Sequence, residues 1–319
     1  MLDLSAPASA VPARGEALLS DRKAKRARRR RQLGPYLFIL PTLVGICVFT
    51  VYPLISSLYH AFTNWSGLGA AKWIGFGNFQ YLFTQDPTFW PSLKATGYFV
   101  LLSVPASMVF GLALAVLVNR AFVGVKLFRT IFYLPVVLPS IAVLTLWQYI
   151  YDPAYGLANQ VLHALGLPAS QWLNSQSMAM PSIVIIGVWG VGSSMIIFLA
   201  ALQNVPQEIY EAARVDGSGA WRMFRSITLP MITPLLLLQL ILGLSLSFQA
   251  FNQFQVLTKG GPNQATNVFM YKIYTDAFGG YSQLGLASAE TWILFLIIMA
   301  VTAVVLKSSS MWVFDDRQA

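Results

Sequence analysis

Residues able to perform acid–base, nucleophilic or metal chemistry are few and scattered along this chain of 319 residues. The two histidines, His60 and His163, are far apart, and the single cysteine, Cys47, lies inside an apolar run. No Cys/His group has the spacing of metal ligands. The phosphate-binding G-x-x-x-x-G-K-[ST] loop is also missing, because Lys307 is the only lysine before a Ser or Thr and no glycine loop precedes it. We therefore predict no catalytic residue, no metal site and no ATP site in this chain.

Polar and aromatic residues inside apolar runs offer a different chemistry, which is binding of an uncharged, hydroxyl-rich ligand. Amides hydrogen-bond hydroxyl groups, and aromatic faces stack on C–H surfaces. One such group comprises Ser245, Ser247, Gln249, Asn252 and Gln253, interleaved with Phe248, Phe251 and Phe254. A second group comprises Trp189, Gly190, Ser193 and Ser194. The alternative for each residue, which we weigh equally, is that Ser and Gly only allow helices to pack closely.

Glu290 is the only charged residue within the apolar runs. Ionisable groups inside a membrane are costly and often functional. Two roles are open: the carboxylate faces a substrate path, or it is paired at the interface with a second subunit. We favour the subunit interface.

The elements that must position these residues are six apolar runs. They cover residues 36–58, 96–118, 130–151, 181–202, 230–250 and 284–306, and about 20 apolar residues suffice for a helix to cross a bilayer. Only 10% of the chain is charged, against about 25% in soluble proteins, which excludes a water-soluble protein with a single core. The runs are too long for barrel strands. We therefore predict an all-α polytopic membrane protein with six transmembrane helices.

Positive charge is distributed unevenly between the connecting segments. Segments 1–35, 119–129, 203–229 and 307–319 hold 17 of the 21 Lys and Arg residues, and the opposite set holds four. Because positively charged loops stay in the cytoplasm, we predict cytoplasmic N- and C-termini and a cytoplasmic 203–229 loop. The net charge of +9 then reflects membrane orientation, and no nucleic-acid partner is expected.

The same segments define the predicted domains. Residues 1–35 form a basic, disordered cytoplasmic tail, residues 36–310 form the transmembrane domain, and residues 311–319 form a short cytoplasmic tail. The basic tail is a solvated topology signal in the interpretation we favour, and it contacts anionic lipid in the alternative.

The 203–229 loop has the pattern of two short helices. Pro206 suits the first turn of a helix, and Gly217 can take the left-handed conformation that ends one. Ser218 can cap a second helix, which would bring Trp221 and Phe224 together.

The first of these helices carries a small-residue, acidic surface. Ala212 and Ala213 would let another protein approach closely, and Glu211 would meet a cation in a charge-assisted contact. The alternative is an ordinary amphipathic surface helix.

This loop resembles the EAA loop of bacterial ABC-importer permeases. Glu211-Ala212-Ala213, three residues, Gly217, nine residues and Ile227-x-Leu229-Pro230 reproduce the motif and both of its gaps. Segments 209–221, 257–262 and 285–289 look like the carbohydrate-uptake branch, which includes permeases of the maltose and glycerol-3-phosphate importers. The resemblance covers nearly everything after residue 35.

The resemblance implies the type I ABC importer permease architecture, with a coupling helix seated in a cleft of a cytoplasmic ATPase. Glu211 would pair with an arginine of the ATPase, the two alanines would pack against its surface, and Gly217 would permit the turn. The implied coupling set is Glu211, Ala212, Ala213, Asp216, Gly217, Ile227, Leu229 and Pro230. The implied substrate path comprises Trp189, Gly190, Ser193, Ser194, Ser247, Gln249, Asn252 and Gln253.

The resemblance also implies partners and a location. These are a second homologous permease in a heterodimer, two cytoplasmic ABC ATPase subunits that hold ATP and Mg, and a periplasmic or lipid-anchored solute-binding protein, in the bacterial inner membrane. The implied function is import of a sugar or sugar derivative by alternating access.

Three other functions are weighed against this one. An amino-acid or oligopeptide ABC permease would carry a related loop, although the 209–230 segment and the Gly260-Gly261-Pro262 turn favour the sugar branch. A polytopic membrane enzyme would need a His, Asp or Cys constellation in its spans. An ion-coupled transporter would need ionisable residues in several spans, and only Glu290 is present.

Overall fold

The computed structural model describes residues 38–120 and 123–313. This part of the chain consists of helices joined by turns and loops, and its only β-type pairing is one isolated bridge between Thr63 and Trp73. The predicted all-α fold is therefore confirmed. The predicted basic tail 1–35 and residues 314–319 of the predicted C-terminal tail lie outside the described residues. The chain divides into two units, one ending at Tyr59 and one beginning at His60.

The described part of the first unit is one helix, α1 (Phe38–His60), whose last residue is the first residue of the second unit. None of its side chains is buried within the chain, and most of them are apolar. Apolar side chains on all sides of a helix indicate a lipid or protein environment.

The second unit contains the remaining helices. They are α2 (Gly77–Thr84), α3 (Phe89–Asn119), α4 (Val125–Val137), α5 (Ser140–Ile150), α6 (Leu157–Ala164), α7 (Ala179–Trp189), α8 (Gly192–Gln203), α9 (Gln207–Val215), α10 (Ala220–Met223), α11 (Thr233–Phe248), α12 (Asn252–Leu257), α13 (Phe269–Phe278) and α14 (Leu284–Ser309). A 3₁₀ turn at Trp172–Asn174, a π-helical turn at Phe224–Thr228 and a short helix at Leu229–Met231 complete the set.

Four segments of the described chain are long and apolar enough to cross a membrane as they stand: α1, α3, Thr233–Leu257 and α14. Two pairs of shorter helices, α4 with α5 and α7 with α8, meet the same test only when each bent pair is taken as one span. The predicted count of six spans is met in that case.

The predicted span 130–151 is not one continuous helix. α4 and α5 meet at 100°, and Leu138 between them is extended, with φ −74° and ψ 144°. Pro139 explains the break, because proline lacks an N–H donor and disfavours helical geometry in the residue before it. Apolar composition revealed the run but not the bend.

The predicted span 181–202 is also interrupted. α7 and α8 meet at 50°, with Gly190 and Val191 between them. A Cβ atom at Gly192 would overlap the Phe132 carbonyl oxygen, so the start of α8 lies directly against the backbone of α4. This close approach requires a glycine at position 192.

The core of the second unit is built around α3, which packs against α7, α8 and α11. Small residues allow this packing, since a Cβ atom at Gly111 would come within 3.1 Å of the Ser194 Cβ atom on α8. Met195 and Phe198 of α8 are fully buried beside it. The contact fixes the first half of α8, the helix that leads into the 203–229 loop.

Candidate functional site

The 203–229 loop forms the two predicted helical segments. α9 follows Pro206 and ends at Val215, and Gly217 has a φ of +75°. The predicted left-handed turn at Gly217 is therefore confirmed. The predicted cap at Ser218 is wrong, because Gly219 occupies the N-cap position of α10 and no side chain caps that helix.

The two helical segments of the loop are held together by specific contacts. The Tyr210 Oη and Thr228 Oγ1 atoms lie 2.8 Å apart, and Val205 is buried in the cluster that Ile227 also contacts. Trp221 and Phe224 stack with their ring centroids 5.8 Å apart, as their spacing predicts. The loop is thus a packed unit that continues the core of the membrane domain.

We call the outward-facing part of α9 and its following turn the coupling surface, defined by Glu211, Ala212, Ala213, Asp216 and Gly217. Within the described chain all of them are exposed except Ala213, which is half-buried. The other three predicted coupling residues, Ile227, Leu229 and Pro230, are half-buried where the loop joins α11. The first five are therefore accessible at the surface of the described chain, and the last three lie at the junction between the loop and the membrane helices.

A second candidate site is a cavity of about 350 Å³ that opens where both bent spans change direction. We call it the inter-span cavity. Its lining residues include Ser103, Leu138, Ser140, Gly187, Trp189, Gly190, Asn252 and Gln253, together with apolar residues of α3, α4, α5 and α7. The break residues Leu138 and Gly190 both line it, so the bends that end the helices also create the cavity.

The polar groups of the inter-span cavity are amides, hydroxyls and backbone, and every lining residue is uncharged. Trp189 packs edge-to-face on Trp147, with ring centroids 5.8 Å apart. The buried Trp147 Nε1 atom has no hydrogen-bond partner among the described residues. The arrangement can hydrogen-bond hydroxyl groups and present an aromatic face to a ring.

The structure brings four of the eight predicted substrate-path residues to this cavity: Trp189, Gly190, Asn252 and Gln253. Ser247 lies behind the wall, with its Oγ atom 3.2 Å from that of the lining residue Ser103.

The remaining predicted residues lie elsewhere. Ser194 accepts a hydrogen bond from Gln239 Nε2 at 2.6 Å, and the exposed Gln249 donates to the Ser245 carbonyl at 3.0 Å. Ser193 is exposed and does not line the cavity. Ser194 therefore serves helix packing in this structure, which is the alternative that the sequence left open.

Two further polar residues, one at the cavity and one between α11 and α8, were not predicted from the sequence. Ser103 lines the cavity, and Gln239 joins α11 to α8. Both lie inside apolar runs, and a polar residue in such a run is the signal that would have identified them.

Glu290 has neither of its predicted roles. Its Oε1 atom lies 2.8 Å from the Lys272 Nζ atom of the same chain, and its side chain is fully buried. Lys272 also pairs with Asp86 at 2.7 Å and with Asp276 at 2.5 Å. The carboxylate is thus ion-paired and buried within the described part of this chain, and it is not exposed toward a substrate path or a second subunit.

Burial and charge pairing have opposite effects on the pKa values of Asp86 and Lys272 in this ion cluster. Burial acts to raise the pKa of Asp86, but hydrogen bonds from Lys272 and Thr88 outweigh it and lower the pKa below its ordinary value. Burial acts to lower the pKa of Lys272, but attraction to Glu290 and hydrogen bonds to the three carboxylates raise it. Asp86, Asp276 and Glu290 converge as metal ligands would, but the ammonium group of Lys272 pairs with all three, so we interpret the group as an ion-pair cluster.

Comparison with known proteins identifies related sequences. Residues 107–315 match the family described as "Binding-protein-dependent transport system inner membrane component". The probable ABC transporter permease protein YesP of Bacillus subtilis is 37% identical over 300 residues, which cover 93% of this chain and 96% of that protein.

Two further relatives have names that state a solute. The probable starch degradation products transport system permease protein AmyD of Thermoanaerobacterium thermosulfurigenes is 31% identical, over 84% of this chain and 91% of that protein. The sn-glycerol-3-phosphate transport system permease protein UgpA of Yersinia pestis is 33% identical, over 85% of this chain and 92% of that protein.

A solved structure has the same fold. It is a chain of a bacterial alginate ABC transporter in complex with an alginate pentasaccharide-bound periplasmic protein. The TM-score is 0.77 at 25% sequence identity, and the match covers 88% of this chain and 95% of that chain.

Proposed function

This chain belongs to the family of binding-protein-dependent transport system inner membrane components and is a permease subunit of an ABC importer, and we propose that its solute is a sugar or sugar derivative. The observation that carries the proposal is the inter-span cavity, where Trp189, Asn252 and Gln253 share one uncharged space. Its volume of about 350 Å³ lies within the range of roughly 300–1,000 Å³ that small-molecule sites occupy.

Charge separates the sugar proposal from its nearest rival. A site for amino acids or peptides must neutralise an ammonium and a carboxylate group, because isolated charges are costly to bury. The inter-span cavity offers no charged side chain for either. The solute named for one relative, starch degradation products, also supports carbohydrate transport, whereas sn-glycerol-3-phosphate, named for another, carries a charge that this cavity does not neutralise. Family membership leaves the membrane-enzyme alternative without support.

The proposed mechanism is alternating access powered by partner ATPases. The coupling surface would dock on a cytoplasmic ABC ATPase, with Glu211 paired to an arginine there. ATP, with Mg, would bind and be hydrolysed on those subunits. Closure of the ATPases would move the packed 203–229 loop, and rigid-body motion of the attached helices would open the cavity outward.

The proposed assembly contains a second homologous permease, two ATPase subunits and a periplasmic or lipid-anchored solute-binding protein. It would lie in the bacterial inner membrane with both termini of this chain in the cytoplasm. The excess of Lys and Arg in segments 1–35, 119–129, 203–229 and 307–319 supports this orientation.

The side-chain amides of Asn252 and Gln253, which line the cavity, provide the test. The solute is first identified by a thermal-shift screen of sugars, polyols and amino acids against the solute-binding protein. Uptake is then measured in proteoliposomes that contain the complete importer. A hydrogen bond is worth about 1 kcal/mol, so Asn252→Ala with Gln253→Ala is expected to lower solute affinity by roughly tenfold or more.

Gln249→Ala is the matched control, because among the described residues this exposed amide donates hydrogen bonds to Ser245 alone and does not line the cavity. It is expected to transport as the wild type does. An amino acid or peptide as the ligand, or equal losses in the control and the cavity variants, would refute the proposal.

A further inference from the structure

Two grooves of opposite chemistry adjoin at the end of α3 next to the 203–229 loop. The first, of about 620 Å³, is lined in part by Asn119, Arg120, Gln203, Gln207, Glu211 and Arg214. The second, of about 590 Å³, is lined by Val109, Leu112, Ala113, Val116, Arg120, Ala220, Trp221 and Phe224. One groove is therefore polar and the other is almost wholly apolar.

The two grooves are continuous, because Val116, Arg120, Ala220 and Phe224 line both. Arg120 is the C-cap residue of α3 and is exposed. Of the described residues that line the apolar groove, it is the only charged one. A guanidinium group thus stands where the polar groove meets the apolar one.

Within residues 38–120 and 123–313, the fold does not use this guanidinium group. The Val118 carbonyl at the end of α3 is capped by Arg129, whose Nη2 atom donates to it at 2.8 Å. Among the described residues, the Arg120 side chain makes no hydrogen bond or ion pair. Arg214 gives the polar groove a second cation, and Glu211 gives it one carboxylate, so positive charge is in excess.

We propose that an anionic phospholipid occupies these grooves, with its phosphate at Arg120 and an acyl chain along α3. Guanidinium groups bind phosphate through several hydrogen bonds, and basic pockets between membrane helices on the cytoplasmic side hold anionic headgroups. An anionic head joined to an apolar tail matches both grooves at once. The inference goes beyond the proposed function and is independent of the solute carried.

The proposed lipid would also connect two moving parts. Its acyl chain lies between α3 and the stacked pair Trp221 and Phe224, which belongs to the second helical segment of the loop. Trp221 is 73% exposed and would be covered by that chain. The lipid would therefore stabilise the packing of the loop on the membrane domain.

Native mass spectrometry of the complete importer tests the site directly. The complex is purified from vesicles of phosphatidylcholine and phosphatidylglycerol, and retained phosphatidylglycerol is counted for the wild type and for Arg120→Gln. Lys126→Gln is the matched control, since Lys126 is exposed on α4 and lines neither groove. We expect Arg120→Gln to lose a retained phosphatidylglycerol that Lys126→Gln keeps.

Ala113→Phe provides a second variant that leaves the charge unchanged. Ala113 is exposed within the apolar groove, so a phenyl ring there fills the groove without entering the core. It is expected to displace the same lipid. Retention of the lipid in both groove variants, or equal loss in Lys126→Gln, would overturn the proposal. The proposal would also be overturned if a partner subunit covered the groove in vesicles that contain phosphatidylcholine alone.

Discussion

At the scale of single residues, Lys272 connects three separate parts of the membrane domain. It pairs with Asp86 between α2 and α3, with Asp276 on α13 and with Glu290 on α14. Its side chain and those of Asp86 and Glu290 are almost completely shielded from solvent. The ion cluster therefore fixes α13 and the loop before α3 against α14.

Lys272→Gln should destabilise the chain strongly. Removing one partner of a buried pair leaves uncompensated charge, which costs about 3–5 kcal/mol. The loss is measured as a lower thermal unfolding midpoint of the purified importer in detergent. Lys94→Gln, which removes an exposed cation from α3, serves as the control and should leave the midpoint unchanged. Equal midpoints for Lys272→Gln and wild type would contradict a stabilising cluster.

The ion cluster also predicts the pH range over which it stabilises the folded chain. The pKa of Asp86 is lowered on folding, so its stabilisation is present above the ordinary value of 3.8 and is lost as pH falls through the folded value. The pKa of Lys272 is raised, so its stabilisation is present below the ordinary value of 10.5 and is lost as pH rises through the folded value.

Unfolding midpoints of wild type and Asp86→Asn, measured across pH, test the acidic limit. Their difference should be constant near neutrality and should shrink only in acid below the ordinary Asp86 value. A difference that disappears already at neutral pH would rule out the charged pair.

Glu211 should be required for coupling but not for folding. A charge reversal on the exposed coupling surface would repel the proposed arginine of the ATPase, so Glu211→Lys should abolish solute-stimulated ATP hydrolysis. Glu208→Lys is the control, because Glu208 is exposed on the same helix and is not part of the coupling surface. Stimulated hydrolysis that persists in Glu211→Lys, or is lost equally in both variants, would refute the assigned role.

At the scale of helices, the two bent spans matter most, because their bends line the inter-span cavity. The bend between α7 and α8 is supported by the close approach of Gly192 to the α4 backbone. Any side chain at position 192 must push α4 and α8 apart.

Gly192→Ala should therefore lower the thermal unfolding midpoint and impair uptake, since overpacking costs about 1–3 kcal/mol. Gly97→Ala on α3 is the control, because an added Cβ atom there meets nothing within 4 Å and Gly97 does not line the inter-span cavity. A Gly192→Ala importer with wild-type stability and uptake would show that the helices can separate at little cost.

The sequence predicted the helices better than their bends and contacts. Apolar length identified all six runs, and Gly217 was recognisable because a glycine after a periodic segment is typical of a helix end. The 100° bend at Pro139 was missed because hydropathy does not register backbone geometry. The partner of Glu290 was missed because the ion pair with Lys272 depends on tertiary packing, which no local pattern encodes.

At the scale of the whole molecule, the coupling surface and the inter-span cavity belong to one continuous stretch of chain. Gly190 lines the cavity, and α8 leads from that region to α9. α8 has 12 residues, which is about 18 Å at 1.5 Å per residue. A helix of this length, buried along one side by Met195 and Phe198, can transmit motion from the loop to the cavity.

The four cavity residues and the coupling motif were recognisable from one chain, whereas the solute was not. The inter-span cavity is lined by uncharged groups that suit many hydroxylated molecules. In the proposed heterodimer the second permease would supply further contacts, and the solute-binding protein would select the solute first.

The most direct test of the central claim is the rate of solute uptake into proteoliposomes assembled with and without the ATPase subunits. We predict uptake only when the ATPases and ATP are both present on the side of the coupling surface. Equal uptake by the permease pair alone would contradict an importer driven through that surface.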